Sequence, residues 1–400
     1  MANNIKLLHS TTAGNVPSLV SGQVALNEAD DIFFWRHSDG TVKKLPLNPR
    51  IDNLVISGGM EVDQVFVGAA QTGKSASFYA IENCWFDVSG GGIFTVQQVA
   101  DAPAGLRNSI KLSVTTADTS LATSDNYALQ IPIEGKRLRT GWGAAGAQSI
   151  AAGFWVKANR IGTYSGSIFN NAGNRAYPFS FTINVSGTWE YKTVVVPGDT
   201  TGTWVSDSSG AGLWFTICLA AGTTRLGTAN TWAAASLLGV TGTINGVAAT
   251  SDYMNITGVV VIPGTMPPSQ EQSTYFIRSF AEELQLCKRY YQKSYDYGTA
   301  LGTVTINGAT SFALTASLPT ASWFAQWAIN FNPSMRTAPT MSAWNSATGA
   351  SGTIHDSTDN TEVTPAFNNT GETGFCVNAS TSSPNTNFNM KAHWVADARM

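Results

Sequence analysis

From residue 51 to residue 272 the chain repeats one pattern at nearly even spacing. A short run rich in β-branched and aromatic side chains is followed by a cluster of Gly, Ser, Asn and Asp. Such runs fall at 110–114, 152–157, 179–185, 191–196, 213–219 and 256–262, and turn clusters at 90–92, 197–199 and 206–212. Several runs alternate apolar and polar residues with a period of two, as half-buried strands do. Short strands separated by regular turns bury their apolar faces by pairing two sheets, so this stretch is expected to form a jelly-roll β-sandwich. Residues 299–400 return to strand and turn, with a hairpin expected around Asn307 and Gly308 and strands near 325–331, 340–344, 374–378 and 389–395. They are read as a second, smaller β-sandwich.

Two other segments break the pattern. Residues 275–295 contain no Gly or Pro, and Phe276, Phe280, Leu284, Cys287 and Tyr291 recur at helical spacing. With Arg278 and Glu282 four apart, Gln285 and Arg289 likewise, and Gly298 as a C-terminal cap, a connecting helix is predicted within 273–298. Glu282 and Glu283 are assigned to its solvated face. Residues 1–50 hold strand candidates at 24–27, 32–36 and 42–45, a polar turn at 28–31, and a turn at Asp39 and Gly40, with Pro46 and Pro49 closing the unit. So few core side chains make this piece dependent on copies of itself or on another protein. The fold class expected is all-β: a small N-terminal β anchor (1–50), a jelly roll (51–272), a connecting helix (273–298) and a C-terminal β-sandwich (299–400).

Charge and cysteine usage narrow the function. Only 12% of the 400 residues are charged and the net charge is −3, about half the roughly 25% charged content of ordinary soluble domains. With a pI near 5.8 and no Lys/Arg cluster, counterion release cannot drive nucleic-acid binding. No apolar stretch approaches the ~20 residues that span a bilayer. Residues 1–10 lack the apolar core of a signal peptide, so folding in a cytoplasm is expected. Cys84, Cys218, Cys287 and Cys376 form no C-x-x-C pair, and His9, His37, His355 and His393 show no metal-ligand spacing. Neither a disulfide framework, a metal nor any cofactor is expected.

Gly68, Gly73, Lys74 and Ser75 match the P-loop pattern letter for letter. The residues that follow, 76–81, are short and aromatic, not a helix able to aim its dipole at phosphate, so a glycine loop is the expected reading. No G-x-S-x-G elbow is present, and the chain is read as a non-enzyme. The twelve Trp are the remaining signal. Trp142, Trp204, Tyr177 with Arg175, and Trp344 lie beside turns, where flat aromatic faces and polar groups suit sugar rings. These five are the glycan-binding candidates, while Trp155 and Trp189 are assigned to the core.

Residues 154–157, 187–193, 197–204 and 215–222 resemble a carbohydrate-binding-module-like jelly roll widespread in tail fibres and receptor-binding proteins of tailed bacteriophages. Residues 282–294 resemble that module's usual end, and 54–64, with Gly58, Gly59 and Met60, its opening. Residues 10–14, 22–27 and 39–43 are similar to an N-terminal fibre motif, and 332–339 with His393 and Trp394 to a C-terminal domain of the same proteins. The apolar residues 259–262 and the Pro-rich insert to Ser273 depart from the family, implying altered packing between sandwich and helix. The resemblance implies a virion fibre or spike, assembled in a host cytoplasm, anchored through residues 1–50 to other tail, collar or head proteins and binding host surface polysaccharide. A homotrimer is implied by the family, with the apolar stripe of the helix available to copies around an axis. A collar, head or baseplate decoration protein, or a polysaccharide depolymerase, are the alternatives. One test follows from the P-loop reading: the chain should show no ATP binding by calorimetry, and binding lost on Lys74→Ala would overturn it.

Overall fold

The computed structural model describes residues 7–12, 14–28, 32–46, 52–315, 323–381 and 387–400, and the chain divides into two units, Met1–Asp52 and Asn53–Met400. The first holds a four-stranded sheet in chain order: β1 (Leu8–Ser10), β2 (Val24–Asn27), β3 (Ile32–Arg36) and β4 (Val42–Pro46). The turn before β4 forms because Asp39 accepts from both the amide and the hydroxyl of Thr41. The turn expected at 28–31 lies largely outside the described residues, as does Pro49. Ala25, Ile32 and Phe34 are buried with Leu19 on one face. Val24, Leu26, Phe33 and Trp35 alternate onto the other and are only half-buried, with Leu45 exposed beside them.

The second unit begins with two six-stranded sheets packed face to face. Its early strands are β5 (Gln71–Lys74), β6 (Phe78–Ile81), β7 (Cys84–Ser89), β8 (Ile93–Val99), β9 (Ser109–Thr116) and β10 (Asn126–Glu134). There follow β11 (Ile150–Ala158), β12 (Gly162–Asn170), β13 (Ala176–Ile183), β14 (Glu190–Val196), β15 (Ala211–Ala221), the short pair β16 (Leu226–Gly227) and β17 (Gly239–Val240), and β18 (Tyr253–Pro263). One sheet runs β13-β12-β15-β10-β7-β6, the other β14-β11-β18-β9-β8-β5. Alternate residues such as Phe86, Leu129, Ile131, Phe154, Phe215 and Ile256 interdigitate between them as one core.

The P-loop look-alike is part of this sheet. Lys74 ends β5, which pairs with β8, and its ammonium lies 4.8 Å from the Phe78 ring. The Phe66 and Gly68 amides donate to the Asp63 carboxylate, so the chain supplies its own anion to that loop.

The opening segment of the unit lies beside β18. β9 pairs only with residues 253–256 of β18, and 53–58 take over along the same edge. Leu54 N–H donates to Val261 O and Val259 N–H to Gly58 O. Gly58 is required here, since an added Cβ would collide with the Val259 carbonyl. The Asn53 side chain, 1% exposed, donates to Val259 O and accepts from the Val55 and Val261 amides. Arg137 donates to the carbonyls of Asn53 and Leu54, and Arg278 to those of Asn53 and Val55.

The connecting helix is shorter than its periodicity predicts. A 3-10 turn, Ser273–Phe276, precedes α1 (Phe280–Lys288), which is nine residues long. Ser279 and Glu282 form a capping box that starts it, a strong N-terminal signal. It stops because β19 (Tyr291–Lys293) is drawn into pairing with the last strand of the chain; β-forming Tyr290 and Tyr291 gain more from the sheet than from another helical turn. Gly298 therefore caps nothing. Glu283 is not on a solvated face: it is 2% exposed, pairs with Arg278 at 3.0 Å and accepts from the Ser57 amide. Cys287 and Tyr291 of the expected stripe are buried within the chain, with Cys287 packed against Ile56 and Val62, while Phe276, Phe280 and Leu284 are half-buried, so only part of the stripe is available to other copies.

The C-terminal strands are β20 (Thr310–Thr315), β21 (Trp323–Asn330), β22 (Thr340–Asn345), β23 (Ile354–Asp356), β24 (Thr361–Val363), β25 (Ala366–Asn368), β26 (Gly374–Thr381) and β27 (Asn387–Asp397). β27 is the spine, pairing with β19, β20, β22 and β23, while β21, β26 and β25 form a second layer. The Asn307 and Gly308 turn forms, but 304–306 is not a strand and β20 pairs with β27 instead; Val304 and Ile306 are left exposed. Arg289 and Tyr290 donate to the buried Glu134 of β10, and Arg336 holds Ala398 O and Ser209 O, fastening the two sandwiches together. Among the described residues the unit is thus all-β around one α-helix.

Where the sandwiches meet, Glu82 is fully buried. One carboxyl oxygen accepts from the Gln64 amide and the other has no partner among the described residues. Burial, reinforced by the Asp63 carboxylate, pushes its pKa up to about 8. Below about pH 4.5 the folded and unfolded chains both hold this proton; between there and pH 8 only the folded chain does, so stability falls as pH rises through that window. Glu82→Gln should melt near wild type at pH 4.5 and several degrees higher at pH 8. Calorimetric melting across that range checks it, and a gap that does not widen with pH would refute it.

Candidate functional site

Four of the five sequence candidates meet at one place. Trp142 and Trp204 are edge to face at 4.6 Å, and Trp232 meets them at 5.4 and 5.6 Å and Tyr177 at 5.1 Å. Their indole N–H groups are spent inside the protein: Trp142 donates to Gln148 O, Trp204 to Asp199 and Trp232 to Pro197 O. Arg175 grips Asp199 with two hydrogen bonds, 2.9 and 2.6 Å, while its guanidinium lies 5.4 Å from the Trp232 ring. Asp199 is 1% exposed, and Trp142, Tyr177 and Trp204 are 6%, 5% and 8% exposed.

This cluster corrects the expectation that those aromatic faces are displayed at loops. Turn-adjacent Trp are drawn inward because burying a large ring gains more than presenting it, and Asp199 satisfies the polar edges that burial would orphan. Trp344 stands apart on β22, half-buried, paired with His393 of β27 and packed near Gly302. Trp155 is buried, its indole donating to Ser273 Oγ. Trp189, expected in the core, is half-buried at the surface, donating to Asp101 with the Lys157 ammonium 5.1 Å from its ring. The Pro-rich insert packs on the outer side of the same sheet, where Tyr191 Oη donates to Pro268 O.

The outer side of the other sheet carries a different arrangement. Because Cys84, Phe86, Leu129, Ile131, Phe215, Ile217 and Ile168 point into the core, the residues between them point outward. Register then lays Trp85, Gln130, Thr216 and Ser167 in a row across four strands. Gln130 is 6% exposed and Thr216 and Ser167 are fully buried. Gln130 Nε2 donates to Asp87, which also accepts from Ser77 Oγ, so the Gln130 amide oxygen faces away from Asp87. Thr216 Oγ1 has no partner among the described residues.

Beside this row, Phe169 and Trp214, directly opposite on adjacent strands, lie within 8° of parallel at 6.1 Å. Trp85, Asp87, Phe169 and Trp214 are half-buried, forming the walls. The β16–β17 segment closes one end, with Leu226 and Leu238 packed on Ala128, Cys218 and Phe169. Gln130, Thr216 and Ser167 lie beneath the surface, so what this face presents is its rim: flat aromatic rings beside the Asp87 carboxylate, chemistry that can take a ring with one apolar and one hydroxylated side. Sequence reading missed it, although the signal is present: Gln130, Thr216 and Ser167 are polar positions inside otherwise apolar strands, with Trp85 and Trp214 out of phase with the core.

No protein-family model matches the chain, and no curated protein matches it. Solved structures do. A domain of tailspike protein 4 of bacteriophage CBA120, described as enzymatically active, is 16% identical over 45% of this chain and 19% of that one, TM-score 0.26. A family 11 carbohydrate-binding module from Clostridium thermocellum, in complex with a mixed-linked tetrasaccharide, is 12% identical over 50% and 97%, TM-score 0.24. A xylan-binding domain from Paenibacillus barcinonensis is 11% identical over 45% and 91%, TM-score 0.25. The chain thus spans under a fifth of the tailspike domain it matches, and likenesses at this level transfer neither ligand nor activity.

The Arg175 and Asp199 pair yields a stability test. Burial raises the Asp199 pKa, but the bonds from Arg175 and Trp204 more than offset this and hold it down to about 2. The stabilisation is therefore complete above the usual pKa of 3.8 and lost as pH falls toward 2. Asp199→Asn should cost about 3 to 5 kcal/mol at pH 7, as breaking one side of a buried pair does. Denaturant melts should show that deficit shrinking below pH 3.

Proposed function

We propose that this protein is a structural fibre or spike component of a bacteriophage particle that holds a surface glycan on the outer face of the β13-to-β6 sheet. The observation that carries the binding half is the rim of Trp85, Asp87, Phe169 and Trp214 left half-buried on that face. Its groups are uncharged apart from Asp87, which agrees with a chain too weakly charged to capture ligands electrostatically. Virion attachment is supported by the sequence resemblance, which covers most of the chain in family order. It is supported also by the N-terminal sheet, whose half-exposed face of Val24, Leu26, Phe33 and Trp35 suits a protein partner or further copies. In a trimer, three weak sites would raise avidity roughly 10²–10⁴-fold.

Trp214→Ala should lower affinity on an oligosaccharide array about tenfold, near 1.4 kcal/mol, without changing the circular dichroism spectrum. Binding should persist at about 0.5 M salt, where the Debye length is only several Å. Equal binding by the variant would remove the site. Undiminished binding to host cells stripped of polysaccharide would remove the glycan.

A further inference from the structure

The glycan-facing wall at Trp85 is not held by its own sandwich alone. Trp85 meets the ring of Tyr79, its cross-strand partner, at 4.9 Å and 69°. The Tyr79 hydroxyl is buried without a partner among the described residues, and the ring is held by what lies against its faces and edges. Against it lies the Arg399 guanidinium, 4.4 Å from the ring centroid and 4.8 Å from that of Tyr291. Arg399 is itself fixed. Its Nε and Nη2 reach both oxygens of Asp397 at 2.6 to 3.2 Å, its side chain is 12% exposed, and its carbonyl accepts from Arg336. Asp397 ends β27, the spine of the C-terminal sandwich. A contiguous chain thus runs from that spine through Asp397, Arg399 and Tyr79 to Trp85.

Resting on the glycan reading above, we infer that Arg399 is a positioning residue for Trp85, so that the C-terminal sandwich sets one wall of a site built on the other sandwich. A planar cation against an aromatic face restrains the ring's tilt. Removing it frees Tyr79 to rotate, and Trp85 follows. Arg399 touches no ligand and acts only by fixing where the indole stands.

The test uses the full chain labelled with 5-fluorotryptophan, the Trp85 fluorine resonance being assigned by its loss in Trp85→Phe. Arg399→Met should shift or broaden the Trp85 signal, leave the buried Trp142 and Trp204 signals in place, and weaken binding on the oligosaccharide array three- to tenfold. Arg399→Lys, which keeps a cation but not the bidentate grip, should restore part of both. Tyr79→Leu, which removes the ring and leaves Asp397 and Arg399 intact, should displace the same signal and guards against an Arg399→Met chain that does not fold. An unmoved Trp85 resonance in these variants overturns the inference. If the wild-type chain binds nothing on the array, the glycan reading fails, while the fluorine signal still decides whether Arg399 controls Trp85.

Discussion

The buried side chain of Asn53 is the tie on which the second unit is built. An extended segment entering a core must satisfy its amides and carbonyls there, because an unpaired buried backbone group costs as much as a lost hydrogen bond. Asn53 meets three of these demands, two on β18 and one at the Val55 amide of its own segment. Arg137, after β10, and Arg278, before α1, take the carbonyls of residues 53–55. One short stretch is thereby bonded to a strand of one sheet, to the end of a strand in the other, and to the approach to the helix. Glu283 holds Arg278 and the Ser57 amide together, so the helix is placed by the same group of contacts. The position of β19, and through it β27 and the C-terminal sandwich, follows from the helix.

The two aromatic clusters of the first sandwich show opposite uses of the same residue type. At the Trp142, Trp204 and Trp232 cluster every indole N–H has a protein acceptor and a carboxylate is locked beneath it. Such a cluster is internally complete, and completeness is what a structural plug needs. Across the outer face, in contrast, Trp85 and Trp214 stand half-buried at the margins of a row whose polar groups lie below the surface. Flat rings left partly exposed distinguish a recognition surface from a core.

Layer architecture was legible in the sequence because period-two alternation and Gly/Asn/Asp turns report local physics: the strands at 24–27, 32–36 and 110–114 stand where alternation places them. The helix was over-read because helical spacing of Phe276, Cys287 and Tyr291 is also compatible with a 3-10 turn, a short helix and a strand in succession, and only the partner strand β27 decides among them. The same holds for Glu283, whose burial is set by residues 53–57, more than two hundred positions away. Turn proximity misled the reading of Trp142 and Trp204, since a residue beside a turn can still point inward. The row of Gln130, Thr216 and Ser167 depends on strand order across four strands, and no local window contains that order.

The Asn53 tie also bears on how the molecule carries load. A pull along the backbone from residue 52 meets first the bonds that set residues 53–58 against β18, and these lie across the direction of the chain. Loaded in shear, they must break together, whereas bonds in line with a pulled hairpin open one at a time. Tension is then passed through Arg137 toward the end of β10 and through Arg278 toward the helix. The entry point of the second unit is thus loaded in shear and is not peeled.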